Sequence, residues 1–128
     1  MAKVVLDASA IIAILNREPG AEKMTLDILR RSVCSAVNLA EVQTLLATQG
    51  GSPDEAWEDA CSPVREVVPF TAEQAKLAGS LVAQTKSLGL SLGDRACLSL
   101  GIQLKAPVYT ADRAWKKLKV GVEVHLLR

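Results

Sequence analysis

The sequence predicts an α/β protein, built as a three-layer α/β/α sandwich around a mainly parallel sheet of about five strands. Short β-branched runs alternate along the chain with longer segments whose apolar residues recur at helical spacing. The first strand, Val-Val-Leu at 4–6, is apolar without alternation, which is typical of a strand covered on both faces. Strands that alternate with helices pair in parallel. Because no linker, repeat or low-complexity stretch interrupts this pattern, we expect residues 1–128 to form a single domain.

Turn and capping residues set the order of the elements. The predicted strands are short and lie at 4–6, 33–34, 66–68, 107–109 and 122–124. The predicted helices lie between them, at 8–15, 21–30, 35–48, from 52 onwards, and at 71–82, 91–104 and 112–119. Proline and glycine at 19–20 and two glycines at 50–51 end two of the helices, because these residues interrupt helical structure. Thr71 is expected to cap the helix that follows it, with Gln74 completing a capping box.

The composition excludes several classes of protein. Hydrophobic residues make up 49% of the 128 residues and charged residues 23%, which is typical of globular rather than disordered chains. Aromatic residues make up only 3%, which argues against a surface on which nucleobases stack. The net charge of +1 gives no overall signal for a polyanionic partner. No apolar run approaches the ~20 residues that span a bilayer, so no membrane partner is expected.

The cysteines and the histidine argue against a structural zinc site and against disulfides. Cys34, Cys61 and Cys97 are odd in number and widely spaced, no Cys-x-x-Cys pair occurs, and His125 is the only histidine. Three buried thiols fit a reducing compartment, so we expect a cytoplasmic protein.

Acidic residues stand at unusual places in the apolar segments. Asp7 interrupts the apolar run that opens the chain, and Asp112 follows a later strand in the same way. Parallel strands would place both carboxylates at the edge of the sheet where such folds bind ligands. Glu41 shares a helical face with Val37 and Leu45, which predicts a core-facing position for a charged residue.

A fourth acid, Asp94, lies in the first turn of a predicted helix, and each of the four has a second interpretation. Asp7 and Asp112 could cap helices, Asp94 could close a capping box with Ser91, and Glu41 could extend its carboxylate to solvent. A helix terminus stabilises an anion by roughly 0.3–1 kcal/mol. Two carboxylates ~4–5 Å apart repel by about 3–4 kcal/mol at an effective dielectric constant near 20. Four converging acids would therefore need protons or cations, and oxygen ligands without histidine or cysteine suit Mg²⁺ or Mn²⁺.

Polar side chains next to these acids could orient them. Ser9 follows Asp7 by two residues, Asn38 precedes Glu41 by one helical turn, and Thr110 precedes Asp112 by two residues. Such groups hold carboxylates or metal-bound water in place. Capping and turn formation explain the same residues equally well.

Four segments together resemble the PIN-domain nucleases, and more narrowly the VapC-type toxins of type II toxin–antitoxin pairs. They are the strand ending in Asp7-Ala-Ser, the Asn-x-x-Glu41 helix, the Leu-Gly-Asp94-Arg helix start and the Tyr-Thr-Ala-Asp112-Arg segment. The resemblance covers nearly the whole chain. It implies a metal-dependent endoribonuclease in which Asp7, Glu41, Asp94 and Asp112 bind Mg²⁺ or Mn²⁺ and serve catalysis. Some relatives carry a further acid after the fourth, where this chain has Arg113, so one or two ions remain alternatives.

Cations near the acids would hold the negatively charged substrate. Arg95 and Arg113 each directly follow a proposed ligand, and Lys116 lies one turn further on. Contacts from such residues to RNA phosphates position a strand without reading its sequence. The resemblance further implies an antitoxin partner that docks near the acidic site, and a homodimer.

Two other interpretations stay open at this point. The first is another phosphate-handling α/β enzyme, either a phosphatase or a receiver-like domain. An aspartyl-phosphate phosphatase would need a second acid where Ser9 stands, and a receiver would need an aspartate where Pro69 and Phe70 follow the third strand. The second is a non-catalytic PIN-like interaction domain, against which the intact acid set argues.

Overall fold

The computed structural model describes residues 2–128, and its centre is a five-stranded sheet in which every pair of neighbouring strands is parallel. The strands are β1 (Val4–Leu6), β2 (Ser32–Ser35), β3 (Glu66–Val68), β4 (Val108–Thr110) and β5 (Val124–Leu126). Their spatial order is β3-β2-β1-β4-β5. The α/β prediction is confirmed. The order differs from the 2-1-3-4-5 order of receiver domains, which argues against that interpretation.

Helices occupy the connections between the strands. In residues 2–128 the α-helices are α1 (Ala8–Leu15), α2 (Leu26–Arg30), α3 (Ala36–Thr48), α4 (Pro53–Cys61), α5 (Ala72–Ser80), α6 (Val82–Thr85) and α7 (Leu92–Leu104). Short 3₁₀ segments lie at Ala21–Lys23, Lys86–Leu88 and Arg113–Lys117.

Two apolar clusters, one on each face of the sheet, make the structure three-layered. Successive residues of a strand point to opposite faces, so Val5 of β1 joins one cluster and Leu6 joins the other. The first cluster includes Leu98 of α7 and the buried Trp115. The second includes Leu39 of α3. Both faces of the sheet are therefore covered, as the unbroken apolar strand predicts.

The predicted helix at 21–30 is wrong, because two shorter elements occupy this segment. Residues Ala21–Lys23 form a 3₁₀ turn, and Met24 leaves helical geometry with its side chain buried. The hydroxyl of Thr25 then accepts a hydrogen bond from the Ile28 amide and starts α2. The chain therefore leaves the helical path at the buried Met24, and the hydrogen bond that Thr25 accepts begins a separate helix directly after it.

The predicted capping box at Thr71 is only half formed. The Thr71 hydroxyl accepts from the amide of Gln74. The Gln74 side chain is buried, and its Oε1 has no hydrogen-bond partner among residues 2–128. Tertiary packing draws this side chain inward, so it does not reach back to the cap.

The last strand lies two residues later than predicted, and β4 one residue later. Apolar residues alternate at 122, 124 and 126, so their period alone does not decide which three pair with β4. A turn at Gly121, with φ of 79°, precedes the strand, and Val108 pairs with Val124. The predicted helix at 112–119 is confined to the 3₁₀ segment Arg113–Lys117.

None of the helices in residues 2–128 combines the length and the apolarity needed to cross a lipid bilayer.

Candidate active site

Asp7 lies at the carboxyl end of β1, where it caps α1 and is buried. Its Oδ1 accepts a hydrogen bond of 2.8 Å from the amide of Ala10. The hydroxyl of Thr110, at the end of the neighbouring strand β4, donates to Oδ2 over 2.6 Å. Ser9 Oγ lies 2.8 and 2.9 Å from the two carboxylate oxygens. Ser9 and Thr110 thus hold the Asp7 carboxylate in place, and the Thr110 contact crosses from the neighbouring strand.

Burial raises the pKa of Asp7 to about 6. Desolvation is the largest cause, and the negative charge of Asp94 raises the pKa further. The hydrogen bonds from Thr110, Ala10 and Ser9 lower it, but they do not offset the loss of solvent. Burial therefore destabilises the ionised form of Asp7, and a nearby cation would stabilise that form.

Glu41 reaches the same region from α3, and Gly93 of α7 makes room for it. A Cβ atom at Gly93 would lie 2.5–2.7 Å from atoms of the Glu41 carboxylate. Asn38 Nδ2 donates 2.8 Å to Glu41 Oε1 and 2.9 Å to the Gly93 carbonyl. Asn38 thus fastens the carboxylate against α7, and the bare backbone at Gly93 forms a cradle for it.

The predicted core-facing position of Glu41 is wrong. The buried residues of α3 are Asn38, Leu39 and Val42, whereas Glu41 is exposed and Leu45 is 38% exposed. Glu41 lies beside the buried stripe rather than on it. Its carboxylate therefore contacts α7 from a solvent-accessible position.

Asp94 forms the predicted capping box at the start of α7. Its Oδ2 accepts from the amide of Ser91, and its own amide donates to the Ser91 hydroxyl. The same carboxylate is close enough to Asp7 to raise its pKa. The capping role and the proximity to Asp7 occur together.

A buried thiol shows how the acids converge. Burial raises the pKa of Cys97 far above its ordinary value, and the charges of Asp7, Asp94 and Glu41 raise it further. The charges of three acids, one at the end of β1, one on α3 and one on α7, therefore all act on this buried sulfur.

Asp112 lies at this edge but is connected differently. Its amide donates to the Thr110 hydroxyl, which in turn donates to Asp7, so the two acidic segments share one hydrogen-bonded chain. Its exposed carboxylate accepts from the amide of Ala114 and caps the last 3₁₀ segment. Asp112 does not contribute to the raised pKa of Asp7.

The donor set fits a hard divalent cation. Across residues 2–128, no three histidine, cysteine, aspartate or glutamate side chains are close enough together to form a ready metal-ligand group. Mg²⁺, however, usually keeps several waters and binds through one or two carboxylates. The buried Asn38 Oδ1, which has no partner within the same residues, is a further acceptor beside Glu41. The site therefore offers oxygen donors only. One of them, the buried Asp7 carboxylate, would be stabilised by a positive charge, and Asn38 Oδ1 is free to accept a hydrogen bond from a metal-bound water. These properties suit hydrated Mg²⁺ or Mn²⁺.

The three cations predicted to bind RNA differ in how exposed their side chains are. Arg113 and Lys116 are exposed on the 3₁₀ segment after Asp112. Arg95 is partly buried beside Asp94, and its Nε has no partner among the residues that the structure describes.

Gly93 is the site residue that sequence reasoning did not single out. Gly93 lies in the first turn of α7, directly before Asp94, and its place beside a proposed ligand was the only local signal. The contact with Glu41, 52 residues away, was not visible in the sequence.

The fold and the site together define a PIN domain. The family model for the PIN domain matches residues 4–121, which is most of the chain. The chain therefore belongs to the PIN-domain family.

Solved structures share this fold at low sequence identity. DNA-bound VapBC from Salmonella typhimurium matches with a TM-score of 0.77 and 18% identity, covering 100% of both chains. VapC20 from Mycobacterium tuberculosis, a sarcin–ricin loop cleaving toxin, matches with a TM-score of 0.74 and 20% identity, covering 94% of this chain and 99% of that one. A toxin–antitoxin complex from Klebsiella pneumoniae matches with a TM-score of 0.74 and 13% identity, covering 98% of each. A comparison with curated protein sequences finds no match.

Proposed function

We propose that this PIN domain is a metal-dependent endoribonuclease that acts as the toxin of a toxin–antitoxin pair. The observation that carries the proposal is that the Glu41 carboxylate packs against Gly93, directly before Asp94, while Asp94 is close enough to Asp7 at the carboxyl edge of the sheet to raise its pKa. The shared fold supports it, since one structure with that fold is a toxin that cleaves RNA at the sarcin–ricin loop. The proposed domain spans residues 1–128.

Each acid has a distinct part in the proposed site. Asp7 supplies a fixed, buried carboxylate whose orientation depends on Ser9 and Thr110. Glu41 supplies an exposed carboxylate and Asp94 a partly exposed one. Asp112 supplies a fourth at the end of β4. Together they would hold one or two Mg²⁺ or Mn²⁺ ions.

A divalent cation bound there supplies Lewis-acid chemistry, which activates water and offsets charge on a phosphodiester under attack. Attack by water on phosphorus with cleavage of the P–O3′ bond leaves a 5′-phosphate and a 3′-hydroxyl. This route needs no histidine base. His125 lies on β5, stacked on Tyr109 at a ring separation of 4.8 Å and paired with Glu123, so it serves structure.

The proposed substrate is RNA, held near the acids by exposed cations. Arg113 and Lys116 follow Asp112 and would contact phosphates, as would Arg95. These contacts also offset the repulsion between the acidic edge and a polyanion.

An antitoxin partner and a homodimer belong to the same proposal. Leu45 and Leu92 are 38% and 56% exposed, and they border Glu41 and Asp94. Apolar side chains beside an acidic site suit a protein inhibitor that covers both. The VapBC structures and the toxin–antitoxin complex with this fold support such a partner. The protein would act in the cytoplasm, where its RNA substrate is found.

The decisive experiment is cleavage of a mixed RNA pool by the purified protein. We expect cleavage with Mg²⁺ or Mn²⁺, none with excess chelator, and products with 5′-phosphate ends. Asp7→Asn and Asp94→Asn should abolish cleavage while the far-UV circular dichroism stays unchanged. Asp54→Asn, an exposed acid in the first turn of α4, is the matched control and should retain activity. Full activity in Asp7→Asn, or in chelator, would refute the proposal.

A further inference from the structure

A cavity lies at the opposite edge of the sheet from the acids. Its volume is about 400 Å³. Most of its lining side chains are basic, and the lining consists of Lys3, Arg30, Arg31, Val33, Arg65 and Glu66. A concave site of this volume is in the range that small ligands occupy, roughly 300–1,000 Å³.

The fold itself gathers the positive charge of this basic cavity. Lys3, Arg31 and Arg65 are the residues directly before β1, β2 and β3, which are neighbours in the sheet. Because the strands are parallel, their amino ends meet at one edge. The buried Val33 belongs to β2, the middle one of these three strands, and also lines the cavity. The arrangement mirrors the acids that follow the strands at the other edge.

Two of the cations keep their charge uncompensated. Lys3 pairs with Glu66 over 3.1 Å, and Arg31 pairs with Asp27 over 3.2 Å. Neither Arg30 nor Arg65 forms an ion pair with any of residues 2–128. Arginine binds phosphate through two parallel hydrogen bonds, so two exposed guanidinium groups without an acidic partner at one cavity suit a phosphate.

An apolar groove continues from the basic cavity. It has a volume of about 260 Å³ and shares Arg30 and Arg65 as its wall. Leu26, which is 63% exposed, lines it as well, and the rest of the lining consists of Leu29, Ser62, Pro63 and Val64. An uncharged flat group lying in the groove would cover this apolar surface while a linked anion reaches the arginines.

We propose that these two adjoining cavities bind a nucleotide, with its phosphates on Arg30 and Arg65 and its base in the groove of Leu26, Leu29 and Val64. The site is separate from the proposed nuclease centre and goes beyond it. The two small joined volumes favour a nucleotide over an acidic peptide, which would need an extended surface. The nucleotide could be free or part of an RNA chain, because both carry the same phosphate chemistry.

Calorimetric titration of the full chain in excess chelator tests this site, since the chelator removes any divalent ion at the acidic edge. The probes are adenosine diphosphate, pyrophosphate, adenosine and a ten-residue oligouridine. We expect adenosine diphosphate to bind about tenfold more tightly than adenosine. The Arg30→Gln/Arg65→Gln variant should weaken its binding by about tenfold or more. Leu26→Ser should weaken adenosine diphosphate but leave pyrophosphate unchanged.

The matched control is Lys76→Gln/Lys86→Gln, which removes the same charge from exposed positions at α5 and the 3₁₀ turn after α6. It should leave every affinity within about twofold. Arginine-dependent binding of the oligonucleotide alone would support the site and identify an RNA chain as the source. The proposal fails if no phosphate-bearing probe binds or if binding does not depend on Arg30 and Arg65. RNA cleavage is measured separately, so failure here leaves the nuclease proposal standing.

Discussion

Asp7 combines two roles that the sequence presents as alternatives. It caps α1 through the Ala10 amide, and it also lies within the field of Asp94. Asp94 and Asp112 likewise cap helical segments. A cap fixes a carboxylate at the start of a helix, where backbone amides hold one oxygen. The capping bonds therefore hold these carboxylates in place, and a capping role does not exclude a role in the proposed site.

The buried carboxyl of Asp7 should make the metal-free protein less stable as pH rises. Its pKa is about 6 in the folded chain against 3.8 for an exposed aspartate. Between about pH 4 and about pH 6, the Asp7 carboxyl is therefore mostly protonated in the folded state and mostly ionised in the unfolded state. This contribution is complete below about pH 4 and is lost as pH rises through about 6, a change of about 3 kcal/mol by pH 7.

Urea denaturation of the wild type and of Asp7→Asn in chelator measures this effect. The free energy of unfolding of the wild type should fall relative to that of the variant between about pH 4 and pH 7. Parallel pH profiles for the two proteins would contradict the burial of this charge.

The cradle at Gly93 should be specific to glycine. In Gly93→Ala the added Cβ would meet the Glu41 carboxylate at 2.5–2.7 Å, so the carboxylate must move. We expect RNA cleavage to fall by about 10–100-fold, because small displacements of site groups have large effects on rate. The melting temperature should change little, since the displaced Glu41 side chain is exposed and its carboxylate can move toward solvent.

Gly79→Ala on α5 is the matched control for that substitution. A Cβ there meets no atom within 4 Å. This variant should be more stable and equally active. Equal activities for the two alanine variants would show that Glu41 needs no fixed place.

At the scale of elements, a hydroxyl connects β4 to β1. Thr110 donates to Asp7 over 2.6 Å and accepts from the Asp112 amide over 3.0 Å. Thr110→Val keeps the shape and removes both bonds. It leaves a buried carboxylate and an amide with one partner fewer, so we expect a loss of about 1–3 kcal/mol in the free energy of unfolding.

Thr48→Val at the end of α3 is the comparison for Thr110→Val. Its hydroxyl bonds only the Leu45 carbonyl from an exposed position, so the variant should change stability by less than about 0.5 kcal/mol. Chemical denaturation at pH 7 distinguishes the two. Similar losses would mean that the connection between the strands carries no stability.

At the scale of the whole molecule, charge is separated between the two edges of the sheet. Asp7 and Asp112 follow strands at the carboxyl edge, whereas Lys3, Arg31 and Arg65 precede strands at the amino edge. The opposite charges cancel in the net value of +1, so the composition conceals both sites. Parallel pairing produces the separation, because it aligns the same ends of all strands.

The packing of the two layers also divides the three free thiols. Cys34 and Cys97 are buried, whereas Cys61 is partly exposed. The expectation of three buried thiols is therefore wrong for Cys61. Burial raises the pKa of Cys34 and Cys97 well above the ordinary range and so suppresses the reactive thiolate.

Alkylation of the native protein at about pH 8 should therefore modify Cys61 alone, and unfolding should expose all three thiols. Intact mass spectrometry with iodoacetamide measures the extent, and Cys61→Ser should abolish the native reaction. Modification of Cys34 at the rate of Cys61 would show that the layer over β2 opens readily.

Local bonds were predictable from the sequence, and distant contacts were not. The caps at Asp7 and at Ser91 with Asp94 join residues three apart, so the residue types alone reveal them. The capping box at Gln74 failed because tertiary packing drew its side chain inward. The bond from Asn38 to Gly93 spans 55 residues, and no local pattern indicates it.

The sequence by itself determined the alternation of strands and helices, the parallel sheet and the acids that follow its strands, because these depend on local periodicity and capping. Only the tertiary structure decided that Glu41 rests on Gly93, that Thr110 joins two strands at Asp7, and that unpaired arginines collect at the opposite edge. Those features depend on which strands become neighbours and in what register. That choice is made by packing of the whole chain, where each contact forms between residues that are remote in sequence.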